Sequence, residues 1–308
     1  MEAFTLTLSN NATVAGIHTL SPPSPASSPK HRPLIVAFHG GTYDCHYFDA
    51  TPKYSASNPS KAFGIPFIAI DRPCYGGTTS FLPIPEGSIF GEETGRWLHE
   101  YILPALWKEF GVSNDCNAVV LLCHSLGTMG GVLAAALHAE DANPAYPLAG
   151  MIASGLGDKQ NARTKGTPAM SPNAGPEHVL FPLPLKDHVM LKPGNVEPEV
   201  LEQSERLNAV SPVAELHGYP AWLGVWKEWA AKVKAPVMFA LVEDDVFFES
   251  TEEEVKICTG AFLKSPRVDG GLVKDAPHCM ELSYWAQGWY ARCFGFAMEC
   301  AAGLGVST

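Results

Sequence analysis

Three short stretches carry side chains that could act on one another. In Cys123-His124-Ser125-Leu126-Gly127 a hydroxyl sits at the abrupt join between the apolar run Ala118–Leu122 and a small-residue stretch. His278 lies in "KDAPHCMELSYW", and Glu243, Asp244 and Asp245 lie in "VMFALVEDDVFF". A neutral hydroxyl is a weak nucleophile and needs an adjacent base. An imidazole is that base near pH 7, and a carboxylate fixes its tautomer and stabilises its cation. The chemistry of such a set is attack on an acyl carbonyl. Taken singly, each member also suits a bland role: Ser125 could cap a helix, His278 could be a surface histidine, and adjacent acids after a strand often face solvent.

The same chemistry calls for donors aimed at the oxyanion. An apolar run ends in His39-Gly40-Gly41-Thr42, and glycines let backbone N–H groups approach a ligand closely. The N–H groups of Gly41 (or Thr42) and Leu126 are the candidate donors, because a helix starting after Ser125 would present free N–H groups there. Thr42, His124, Trp222 and Trp226 are candidate pocket residues.

The elements that would position these groups alternate. "FTLTLS" and "TVAGIHTL" flank Asn10-Asn11 and read as an opening hairpin. "LIVAF" (34–38), "PFIAI" (66–70), "AVVLL" (118–122) and "VMFALV" (237–242) are continuous apolar runs, suited to strands covered on both faces. "RVDGGLV" reads as a further strand before His278. Trp97, Leu98, Tyr101, Ile102, Ala105 and Leu106 predict a helix kinked at Pro104. Leu126, Met129, Leu133, Ala136 and Leu137 predict a second amphipathic stripe after the serine. Strands alternating with helices imply a mostly parallel sheet with helices on both faces. From Asp158 to Lys234 the rhythm breaks into a Pro- and Trp-rich stretch, with helices expected in "EPEVLEQSERLNAV" and "PAWLGVWKEWAAKV". The organisation expected is a core of residues 1–157 and 235–308 with an inserted lid at 158–234.

Composition narrows the partners. The chain has 308 residues, 46% of them hydrophobic, so one large α/β domain can bury a sizeable core. A formal net charge of −11 without a basic cluster argues against nucleic acid. No run of about 20 uncharged apolar residues predicts a membrane span. The eight scattered cysteines form no Cys-x-x-Cys pair and read as reduced thiols, and no secretory signal pattern opens the chain, so a cytoplasmic protein is expected. His39, Asp44 and His46 match no usual metal spacing; neither a metal nor a cofactor is called for.

Taken together, "HGGTYD", "DRPCYGGT", "CHSLGTMGG", "VEDDVF" and "APHCMELS" resemble the α/β-hydrolase superfamily along nearly the whole chain. The order Ser…Asp…His is the one that family uses. The resemblance implies an α/β-hydrolase fold and a Ser125–His278–Asp245 triad, with Asp244 in reserve and Asp158 as the acid some members take from the preceding strand. Two positions depart from the family's pattern: Cys123 and Val242 stand where glycines are usual. The resemblance also implies that Asp71 and Arg72 hold loops. The function expected is hydrolysis of an ester or lactone, and the Trp-rich stretch together with the negative net charge favours a neutral hydrophobic or aromatic small molecule over an anionic one. Thioester or carbon–carbon bond hydrolysis would use the same triad, and a non-hydrolytic receptor or cyclase on this scaffold is the alternative of another class.

Overall fold

The computed structural model describes residues 1–25, 30–162, 177–192 and 194–304. Strands β1 (Glu2–Thr7) and β2 (Thr13–Thr19) pair antiparallel, with Glu2 opposite His18 and Thr7 opposite Thr13. Next come β3 (Pro33–Phe38), β4 (Phe67–Ile70), β5 (Ala118–His124) and β6 (Leu148–Ser154), each buried at every residue. A separate two-stranded ladder joins β7 (His178–Val179) to β8 (Ser211–Pro212). Strands β9 (Val237–Val242) and β10 (Val268–Val273) return to the main sheet, whose order is β1-β2-β4-β3-β5-β6-β9-β10. From β4 to β10 all neighbours are parallel. The fold is that of an α/β-hydrolase.

Side-chain alternation explains why the central strands read as unbroken apolar runs. Leu34, Val36 and Phe38 of β3 enter one core, and Ile35 and Ala37 enter the other. Both faces must therefore be apolar. The first core is closed by α2 (Phe90–Trp97), α3 (Leu103–Leu106), α4 (Gly127–Glu140) and, after the inserted stretch, α8 (Glu252–Gly260). The second is closed by α1 (Ser57–Phe63) and chiefly by α9 (Ala286–Leu304).

Two expectations change in detail. The helix expected around Pro104 runs without a break but changes its hydrogen bonding: π-helical turns at Leu98–Ile102 and Trp107–Gly111 bracket α3. Proline has no N–H to donate, and the longer loops of hydrogen bonding absorb the lost register. The stripe predicted along α4 is instead burial all round from Gly127 to Ala136. Its outer side is covered by α2 and by α7 (Val213–Ala230), a helix of the inserted stretch.

Between β6 and β9 the chain leaves the eight-stranded sheet. It contains β7, α5 (Leu183–Leu191), α6 (Pro198–Leu201), β8 and α7. The helix expected over "EPEVLEQSERLNAV" stops at Leu201. The following turns bring the Leu207 carbonyl and the Ala209 N–H onto partners elsewhere in the fold, and those bonds replace helix continuation. Among the described residues no helix is long and apolar enough to cross a membrane.

Candidate active site

Strand β5 and helix α4 meet at Ser125, whose φ is 50°. That left-handed conformation is uncommon for a non-glycine residue and is held by its surroundings. Here the Ser125 N–H donates to the Ser154 carbonyl of β6 at 2.7 Å, and the Thr128 N–H returns to the Ser125 carbonyl at 2.8 Å. The turn brings α4 against β3 so closely that a Cβ on Gly127 would lie 2.6 Å from the His39 carbonyl oxygen. Only glycine fits.

Cys123, one of the two departures from the family's pattern, has a local compensation. A Cβ on Gly131 would lie 2.4 Å from the Cys123 sulfur, so a glycine one turn further along α4 makes room for the thiol. Gly131→Ala should destabilise the protein by about 1–3 kcal/mol through overpacking. Cys123→Ala should remove most of that loss. A double-mutant cycle by urea unfolding reads the coupling, and additivity of the two changes would disprove it.

His278 follows β10 and Asp245 follows β9, and both are buried. His278 Nδ1 donates to Asp245 Oδ2 at 2.9 Å, and the Ser125 hydroxyl donates to His278 Nε2 at 3.0 Å. The tautomer follows from the carboxylate, which only accepts, so the proton is on Nδ1. Asp245 Oδ1 is occupied separately: it accepts the N–H groups of Phe247 (2.7 Å) and Phe248 (3.3 Å). The Phe247 ring meets the His278 ring edge-on at 4.7 Å. The other acids lie elsewhere. Asp244 pairs with Lys192 near the surface, and Asp158 accepts from Trp226 Nε1 and Lys227 Nζ.

The N–H groups of Gly41 and Leu126 donate to no other group among the described residues. The Thr42 N–H, the alternative donor, is engaged by Ser211 Oγ at 2.8 Å, so the free pair is Gly41 and Leu126. His39 organises this loop. Its Nε2 accepts the Arg72 N–H at 3.1 Å, and its Nδ1 donates to the Gly40 carbonyl at 2.7 Å. Burial, with the Arg72 charge beside it, lowers its pKa to about 3 and keeps the ring neutral. Asp44, Cys45 and His46 place donor atoms within 4.8 Å of one another. The Asp44 carboxylate there accepts from the His46 N–H and ring.

Asp71 and Arg72 hold loops. Asp71 accepts from the N–H groups of Cys45 (3.0 Å) and Gly77 (2.9 Å). Arg72 donates to the Gly40 carbonyl at 3.1 Å and forms a two-pronged pair with Glu215 of α7, which also accepts from the Tyr75 hydroxyl.

Three of the pocket candidates are placed differently from expectation. The His124 ring stacks on Tyr47, 4.8 Å between centroids, and lies 3.2 Å from Ser154 Oγ. It forms the floor behind His278, where burial keeps it neutral. Trp222 and Trp226 are buried, packed with Thr128, Leu156 and Phe239 around a cleft with room for little more than one water. An aromatic side chain on an inserted helix must bury its own surface first, and here α4 supplies the partner face. Thr42 is buried beside Gly41, and its hydroxyl has no partner among the described residues. Sequence reasoning missed Lys186, Ser211 and Glu215, which tie the inserted stretch to this loop. The one available signal was a charged residue inside an apolar run, as in "FPLPLKDHVML".

Comparison with known proteins agrees with this architecture. A sequence model of the alpha/beta hydrolase family matches residues 35–288. No curated protein matches the sequence. Among solved structures, a soluble variant of the Saccharomyces cerevisiae monoglyceride lipase with a substrate analogue superimposes with a TM-score of 0.65 at 11% identity, covering 97% of this chain and 94% of that one. The Paleococcus ferrophilus monoacylglycerol lipase gives 0.60 at 14% identity, covering 92% and 99%. An N-acyl homoserine lactonase complexed with N-hexanoyl homoserine gives 0.60 at 15% identity, covering 97% of each chain. With the family match spanning most of the sequence and the sheet order, serine turn and loop placement described above, the chain belongs to the alpha/beta hydrolase family.

Proposed function

We propose that the protein is a serine hydrolase that transfers the acyl group of a neutral, hydrophobic or aromatic ester or lactone to water. The observation that carries this reading is the continuous hydrogen-bonded line Ser125 Oγ–His278–Asp245. Ser125 Oγ attacks the carbonyl carbon as His278 Nε2 takes its proton. The oxyanion accepts the N–H groups of Gly41 and Leu126. Collapse breaks the bond to the leaving oxygen, which takes the proton from His278 Nε2. Water, deprotonated by the same nitrogen, then releases the acid and restores Ser125. Asp245 keeps the imidazole in the working tautomer throughout.

A neutral substrate is supported by the engagement of the buried cations beside the oxyanion loop. Arg72 is paired with Glu215, and Lys186 is bonded to main-chain carbonyls. The stretch 158–234 serves in this reading as a cap that limits water and shapes the pocket.

A fluorophosphonate probe tests the reading, alongside a panel of aryl, short-chain and long-chain esters, lactones and thioesters. Labelling of the wild type, its loss in Ser125→Ala, and turnover of neutral esters or lactones are the expected results. A folded wild-type protein that resists the probe and hydrolyses none of the panel would overturn the proposal.

A further inference from the structure

Thr42 directly follows the oxyanion donor Gly41 and has a φ of 65°. For a β-branched residue that conformation is an outlier, and it persists only where surrounding groups over-determine it. The hydrogen bonds to Thr42 among the described residues come from the stretch 158–234. Its N–H donates to Ser211 Oγ at 2.8 Å, while its carbonyl accepts Lys186 Nζ at 3.0 Å and the Ala209 N–H at 2.9 Å.

Lys186 is an unusual residue to find there. Its side chain, on α5, is 1% exposed. A second Nζ–H reaches the Leu207 carbonyl, and Nζ lies 3.8 Å from the centre of the Tyr43 ring. It forms no ion pair with a carboxylate among the described residues. Removing an ammonium from water without a counter-ion opposes folding, and burial lowers its pKa to about 8. Packing alone would be served better by methionine or leucine. What lysine adds is a directed donor on the Thr42 carbonyl, 144 residues away in sequence.

We infer that Lys186 and Ser211 are positioning residues: by holding both ends of Thr42 they fix the oxyanion loop with the Gly41 N–H turned to the reacting carbonyl. Seating of the inserted stretch and completion of the oxyanion hole are then one event. The inference rests on the serine-hydrolase reading. It predicts a defect confined to the transition state, since the Gly41 donor matters when charge develops on the oxygen.

The test uses the full chain carrying Lys186→Met or Ser211→Ala. The readouts are the rate of fluorophosphonate labelling, kcat and KM for p-nitrophenyl butyrate, and the melting temperature. Labelling rate and kcat should fall roughly 10- to 100-fold, short of the loss of a whole oxyanion donor. KM should stay within about threefold, because ground-state binding does not use the donor. Ser211→Ala removes one hydroxyl and carries the test even if Lys186→Met fails to fold. Folded variants that keep the wild-type labelling rate and kcat would overturn the inference, as would a change in KM alone. Turnover lost in Ser125→Ala yet unaffected in Lys186→Met and Ser211→Ala defeats this inference and leaves the nucleophile standing. Turnover that survives Ser125→Ala defeats both.

Discussion

Asp245→Asn should lower kcat by about 10⁴-fold with little change in KM, the size of loss seen when a triad aspartate becomes an amide. The reason lies in how the two carboxylate oxygens are used. Oδ1 accepts two backbone N–H groups, from Phe247 and Phe248, and Oδ2 accepts from His278. Asparagine must keep its oxygen toward the backbone donors, so its NH₂ group faces His278 Nδ1. The imidazole then moves its proton to Nε2 and can no longer take one from Ser125. Fold and binding are preserved while the base is lost. Asp244→Asn should leave kcat within a few-fold, because Asp244 pairs with Lys192 at the surface and such pairs contribute about 0–1 kcal/mol. Steady-state kinetics on the best ester of the panel would decide. A larger loss from Asp244→Asn, or less than tenfold from Asp245→Asn, would move the acid elsewhere.

That pair of neighbours marks where the sequence stops being readable. The serine turn was legible because its constraints are local: a buried strand, a small residue two places on, and a helix. The central strands were legible because covering both faces leaves no polar position to blur the pattern. The choice among Glu243, Asp244 and Asp245 rested on resemblance. What orients the loop is the bonding of Asp245 to the N–H groups two and three residues ahead, a turn that any of several aspartates could have made. The working contacts of the stretch between β6 and β9 were hidden. Lys186, Ser211 and Glu215 meet partners 144, 169 and 143 residues away, and no periodicity encodes such a pairing. The overextended helix after Glu197 has the same origin: propensity favoured continuation, and long-range hydrogen bonds at Leu207 and Ala209 overrode it.

The deepest of those contacts should also have the largest effect on stability. Glu215 and Arg72 are both fully buried, and Arg72 meets Glu215 with two nitrogens while its side chain also holds the Gly40 carbonyl. Glu215→Gln keeps the shape but removes the negative charge and turns an N–H₂ group toward donors on Arg72 or Tyr75. A buried guanidinium without its counter-charge costs about 3–5 kcal/mol, which corresponds to a fall in melting temperature on the order of 10 °C for a chain of this size. The pair itself need not be net stabilising, since two desolvated charges repay their dehydration only through each other. Arg72→Met combined with Glu215→Leu should therefore recover much of the loss seen in Glu215→Gln, while kcat stays impaired because the Gly40 carbonyl has lost its guanidinium donor and keeps only His39 Nδ1. Thermal unfolding of the single and double variants separates the two effects. A Glu215→Gln melting temperature within about 2 °C of wild type would mean that α7 is not anchored through this charge pair.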